Sequence, residues 1–168
     1  MLHIARTMAQ LDFSRMMAVY EEGNRGNAEE LYPDLPRPQA LLRAEQDFYQ
    51  YLRYDFFTTA GAYYALWQEG GEYVSALRIE PYKDGVLLEA LETAPGMRRR
   101  GYAEKLMRAV LSTEKKIYSH VSKRNVASLN IHEKCGFVRV SEQATYIDGS
   151  VSSKCCTLCF ENNGEYYG

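Results

Sequence analysis

PGMRRRGYAEKLM, residues 95–107, decides how the rest of the chain is read. Three consecutive arginines repel one another unless water or an anion absorbs the charge. The stretch follows a strand-like run, VLLEALET (86–93), and opens a helix with Ala103, Leu106, Met107, Val110 and Leu111 on one face. The first N–H groups of a helix have no internal partner. The helix dipole adds roughly half a positive charge there, and phosphates bind such ends. Gly101 lets the backbone approach a ligand closely, Ala103 keeps the first turn small, and Arg98, Arg99 and Arg100 can add charge-assisted bonds. On residue chemistry alone the turn is either an anion socket or a solvated basic corner.

Upstream, YYALWQ (63–68) and EYVSALRIEPY (72–82) read as a hairpin joined by Gly70-Gly71, and Lys83-Asp84-Gly85 as a second tight turn. Downstream, KIYSHVS (116–122) is a strand, Asn125 begins a helix that Gly136 ends, and FVRVSEQATYI (137–147) and KCCTLCF (154–160) are the last strands. A short strand is expected near Leu2–Thr7. A helix follows from Asp12 with Phe13, Met16, Met17 and Tyr20 at helical spacing. GNRGNAEELYPDLPRP (23–38) reads as loop. Pro38 opens a second helix with its stripe at Leu41, Leu42, Phe48, Tyr49, Leu52 and Phe56. The tail, ENNGEYYG (161–168), reads as loosely held. This order gives an α/β layered domain with a mixed, mostly antiparallel sheet of six to seven strands, and a strand–helix–strand crossover makes one pair parallel. One domain is expected over 1–168.

Composition excludes several classes. The net charge of −2 lacks the basic footprint of nonspecific nucleic-acid binding. No run approaches the ~18 to 20 apolar residues of a membrane span, and MLHIARTMAQLDF is no convincing signal peptide. Of the four cysteines, Cys155, Cys156 and Cys159 crowd one strand and Cys135 stands apart. Neighbours on one strand point to opposite faces, so a disulfide framework is not expected. A reduced, cytoplasmic chain with the cysteines as small buried residues fits better. A zinc site would want a second CxxC, and no metal is expected.

Arg98-x-x-Gly101-x-Ala103, between a strand and an amphipathic helix, resembles the R/Q-x-x-G-x-G/A motif of the GNAT superfamily of N-acetyltransferases. NVASLNIHEKCGF (125–137) is similar to that family's later motif, N-x-x-A-x-x-x-Y-x-x-x-G-F. The resemblance covers residues 60–160, with residues 1–60 as variable N-terminal helices. It implies a sheet whose central parallel strands, 86–93 and 116–121, splay apart, with helices on both faces. It also implies acetyl-CoA as co-substrate. The pyrophosphate would lie on the turn formed by Arg98, Arg99, Arg100, Gly101, Tyr102 and Ala103. The pantetheine arm would run along Leu91 to Thr93 and meet Asn125 and Ser128. Asn125 is equally suited to cap its own helix. Lys123 or Arg124 is a candidate for the 3′-phosphate or a solvated charge.

Acetyl transfer to an amine needs proton removal, oxyanion stabilisation and a leaving thiol. The family usually places a tyrosine where His132 stands. Histidine can also donate a proton, so His132 is either the general acid toward the sulfur or a packed structural histidine, with Tyr146 as a second donor. For the base the candidates are Glu89 and Glu92, with Glu92 preferred. Regular strand alternation sends the two to opposite faces. Glu45, on the apolar stripe of the second helix, is a further carboxylate for a cationic acceptor or a simple ion pair. The aromatic stretch FYQYLRYDFFTTAGAYY (48–64) suits an amine through cation–π attraction or serves as core. The expected acceptor is a small-molecule or peptide amine, and the expected state a monomer or homodimer. Rivals are a catalytically silent CoA-binding module and a nucleotide binder. The second lacks the Gly-Lys-Ser/Thr of a phosphate-binding loop.

Overall fold

The structure, a computed structural model, describes residues 1–164; the last four residues of the expected tail lie outside that range. In chain order the elements are β1 (Leu2–Ala5), α1 (Phe13–Val19), α2 (Glu21–Leu31), α3 (Arg37–Tyr54), β2 (Tyr63–Glu69), β3 (Glu72–Tyr82), β4 (Gly85–Thr93), α4 (Tyr102–Leu111), β5 (Lys116–Ser122), α5 (Val126–Lys134), β6 (Val138–Ser141), β7 (Ala144–Thr145), β8 (Val151–Ser152) and β9 (Cys155–Glu161). Seven strands form one sheet in the order β1-β2-β3-β4-β5-β9-β6. Among the described residues only β4 and β5 pair parallel, with α4 crossing between them.

Strand alternation divides the core. Tyr63, Ala65, Leu77 and Ile79 point to the face covered by Leu106, Met107, Val110 and Leu111 of α4. Tyr64, Leu66 and Ala76 point to the other, packed with Met16 of α1 and Leu52 of α3. Each buried aliphatic side chain contributes about 1.5–3 kcal/mol relative to exposure. The helices therefore cover both faces of the sheet.

Two N-terminal segments differ from the sequence reading. Much of the expected loop 23–38 is α2. Gly23 and Gly26 each cost about 1 kcal/mol relative to alanine in a helix. Packing overrides them: Ala28 of α2 is buried with Ala40 and Ala44 of α3, small residues that allow close helix approach. Glu21 and Glu22 lie in the first turn of α2, where they complement the dipole. Arg37 rather than Pro38 opens α3.

The expected strand 137–147 is broken. Ser141 Oγ accepts the Gln143 amide at 3.2 Å, a local bond that competes with the ladder. The register of β6 on β9 slips between Arg139 and Ser141. Beyond the break, β7 pairs with β8 as a separate two-stranded sheet.

Two irregularities shape the centre. At the closed end of the parallel pair, a Cβ on Gly85 would stand 2.4 Å from the Lys116 carbonyl oxygen, so only glycine fits. The pair has three rungs, Val86–Ile117, Leu87–Tyr118 and Leu88–Ser119, and then the strands part. On its other side β4 carries a bulge. Arg78 of β3 faces Glu89 and Ala76 faces Glu92, so one residue of β3 spans two of β4. Ala90, inside the bulge, has φ 52°. The bulge resets the alternation. Glu89 and Glu92 therefore share a face, against the expectation from regular alternation.

Candidate functional site

The head of α4 is built as the sequence suggested. Gly101 is its N-cap in the left-handed region, φ 80°, and no side chain caps it. Arg99 is also left-handed, φ 62°. Among the described residues, no amide from Arg99 to Glu104 donates to a protein group. A Cβ on Gly101 would meet nothing within 4 Å, so its conformation, not space, requires glycine. The free amides face a cavity of about 660 Å³ lined by Leu91, Glu92 and Thr93 of β4, by Arg98, Arg99, Gly101, Tyr102 and Ala103 of the turn, and by Asn125 and Ser128 of α5. Arg100 is exposed and does not line it. The Arg98 guanidinium is held by Glu22 of α2 at 2.8 Å.

A second cleft, of about 170 Å³, continues from this cavity into the gap between β4 and β5. Leu91, Asn125 and Ser128 line both. Asn125 caps α5, its Oδ1 accepting the Ser128 amide at 3.1 Å. Lys123 pairs with Glu142 at 3.6 Å. Neither it nor the exposed Arg124 lines the groove.

His132 closes the inner end of the cleft. The residue is 1% exposed. Nδ1 lies 2.7 Å from the Ser128 carbonyl oxygen, an acceptor, so Nδ1 carries the proton. Nε2 lies 2.8 Å from Ser119 Oγ, which must then donate to it. Burial holds the imidazole below the ordinary histidine range, with the Ser128 carbonyl opposing. Both ring nitrogens are thus bonded within the protein, Nδ1 as donor and Nε2 as acceptor. Tyr146 bonds Cys155 Sγ at 3.7 Å and lines neither cavity.

On the other side of β4 lies a cavity of about 600 Å³ between α2, α3 and the sheet, with Tyr20, Phe48 and Tyr51 as aromatic walls and Asn24, Asn27, Asp47, Arg78 and Glu92 as polar groups. Glu92 lines this cavity and the groove at α4, and Ala90 lines this cavity and the cleft, so the spaces meet at the bulge. Burial pushes the Glu92 carboxyl above its ordinary range, with Arg98 opposing and Glu22 adding to the rise. Glu89 is ion-paired with Arg78 at 3.3 Å. Glu45 lies elsewhere, beside Phe13 and Tyr49 on the outer side of α3.

Arg78, Asn24, Asn27 and Asp47 escaped the sequence reading. A lone arginine within the apolar run YVSALRI was a usable signal for the first; the others lie on a helix and a stripe read as loop and core. Among the described residues, no group of three or more His, Cys, Asp or Glu side chains is arranged to hold a metal ion. No helix there is long and apolar enough to cross a membrane.

The fold is shared with solved acetyltransferases. A GNAT-family acetyltransferase from Bacillus cereus ATCC 10987 has 16% identity and TM-score 0.58, covering 96% of this chain and 98% of its own. The spermidine N-acetyltransferase of Vibrio cholerae, solved with CoA and spermine, has 13% identity and TM-score 0.60, covering 95% of each chain. The PaiA N-acetyltransferase of Thermoplasma acidophilum, solved with coenzyme A, has 9% identity and TM-score 0.59, covering 96% and 99%. Among curated proteins none matches. The chain belongs to the Acetyltransferase (GNAT) family, whose model matches residues 25–137 and so reaches back from both motifs into α2.

Proposed function

We propose that this chain moves an acetyl group from acetyl-CoA to a primary amine by direct attack in a ternary complex. One observation carries the reading: a groove runs from the free amides at the head of α4 into the β4/β5 split and meets a separate cavity at Glu92. Two substrates can thus approach one point from opposite sides of β4.

In this reading the diphosphate accepts bonds from the amides of Gly101, Tyr102 and Ala103. Arg98 and Arg99 add charge, and the pantetheine arm follows Leu91 to Thr93 past Asn125 and Ser128. The amine arrives from the aromatic cavity. An alkyl ammonium has an ordinary pKa near ~10 and must lose a proton; Glu92, its carboxyl raised by burial, takes it. The amine nitrogen then bonds the acetyl carbon, and the carbon–sulfur bond breaks. A backbone N–H at the bulge stabilises the oxyanion. The nitrogen sheds its second proton as the bond forms, and that proton passes through water to the departing thiolate, whose thiol has an ordinary pKa near ~8.5, so no dedicated acid is needed. His132 and Ser119 hold α5 against β5 at the inner end of the split. The four cysteines are free thiols, which supports a reducing, cytoplasmic setting.

A silent CoA-binding module is the second reading, favoured by the bonded His132 where the family usually has tyrosine. The test is acetyl-CoA consumption against a panel of amines, run beside a CoA titration. Saturable binding with turnover on at least one amine supports the transferase. Binding with no turnover on any amine supports the silent module.

A further inference from the structure

Arg78 sits on the sheet face that floors the amine-side cavity, its side chain 20% exposed. Only its Nε is hydrogen-bonded among the described residues, to Glu89 Oε2 at 3.3 Å. The guanidinium carbon lies 5.2 Å from the centre of the Tyr51 ring. An arginine serving only the fold would turn its two-pronged end to the carboxylate. Here Glu89 takes the side nitrogen and the terminal fork is left over. A buried donor left unpaired costs free energy, and so does a desolvated charge only partly matched. Directly across the ladder, the Tyr64 hydroxyl has no partner in good hydrogen-bond geometry among the described residues and lies close to both Arg78 and Tyr20.

The other charges of the cavity stand aside. Glu89 is taken by Arg78, and Asp47, which accepts the Tyr32 hydroxyl, keeps its charge at the solvent-exposed rim. The Arg78 fork and Glu92 remain. Their strand positions are two residues apart along β3, at Arg78 and at Ala76, the partner of Glu92, about 7 Å. A substrate with a second ammonium would set it against the guanidinium. A substrate with an amine and an anion a few bonds apart satisfies both groups.

We propose that the acceptor is an amine bearing a carboxylate a few bonds from its nitrogen, as in a free amino acid or the C-terminal end of a very short peptide, and that the Arg78 fork receives that carboxylate while the amine faces Glu92. The proposal rests on the acyl-transfer reading above and names its substrate class.

The experiment compares kcat/KM, with acetyl-CoA in excess, for free amino acids and dipeptides, for the same compounds as C-terminal amides, and for spermidine as a carboxylate-free polycation. Amidation is expected to lower kcat/KM by ~10²-fold or more, because it leaves the buried fork unpaired. Arg78→Met is expected to erase the difference between acid and amide, and Arg78→Lys to keep part of it. Amides or spermidine acetylated as well as the acids would overturn the proposal while leaving the transferase reading intact. No turnover on any amine, with CoA still bound, sinks both. If Arg78→Met does not fold, the wild-type comparison of acid with amide decides between these outcomes by itself.

Discussion

Glu89 and Glu92 are three residues apart on β4 and stand on the same face of the sheet, because the bulge at Ala90 inserts one residue between them. Arg78 holds the first as an ion pair. Among the described residues the second has no such partner, and it lies where the amine-side cavity meets the α4 groove. The bulge thus gives two chemically identical side chains different work: one fixes Arg78, the other is open to an approaching amine.

Glu92→Gln should therefore lower kcat by about 10² to 10⁴-fold, the usual span of a general base, with CoA affinity unchanged. In the wild type, kcat/KM should rise with pH as Glu92 deprotonates. Burial raises that carboxyl, so this acidic limb should lie above the ordinary glutamate value of ~4.3. Steady-state rates across pH check it; the limb should vanish in the variant.

Gly101→Glu should weaken CoA binding more than tenfold by setting a negative side chain at the mouth of the socket. Gly101→Ala should weaken it less, through the strain of a side chain at φ 80°, about 1 kcal/mol. Calorimetric titration measures both, and circular dichroism should show the fold retained.

His132→Ala should destabilise the protein by about 3 kcal/mol, since it leaves a buried void and strands the Ser119 hydroxyl. Its effect on kcat should be smaller than that of Glu92→Gln, and the pH–rate profile should keep its shape. Denaturant unfolding and a pH profile measure the two parts. A lost basic limb in the variant would restore His132 as the acid.

Glu80, on the same face as Arg78, offers a test of electrostatics alone. Burial, and next the charge of Glu89, push its carboxyl up to about 7. The folded chain therefore keeps a proton that the unfolded chain releases near ~4.3. The stability from that proton is present below ~4 and is lost as pH rises through about 7. Glu80→Gln should flatten the fall in Tm across this window and raise Tm at about pH 8. Thermal unfolding at several pH values checks the sign.

What the sequence made legible was local. KIYSHVS, 116–122, coincides with β5, and the cap at Asn125 follows from residue type. What it hid was set by distant partners. Helix α2 carries two glycines and a polar surface, and its stability comes from alanines of α3 that no local pattern announces. The bulge at Ala90 has no signature residue, since alanine rarely adopts positive φ, and missing it put Glu89 on the wrong face. The state of His132 depends on Ser119, 13 residues away on another element. Arg78 was visible as a charge in an apolar strand, but its meaning required the cavity beside it.

The most direct test is an amide-resolved NMR titration of the labelled protein with CoA. The largest and earliest shifts are expected at the amides of Gly101, Tyr102 and Ala103, with a second set along Leu91 to Thr93. Saturable binding that leaves those amides unmoved, or no binding at all, would contradict the proposed function.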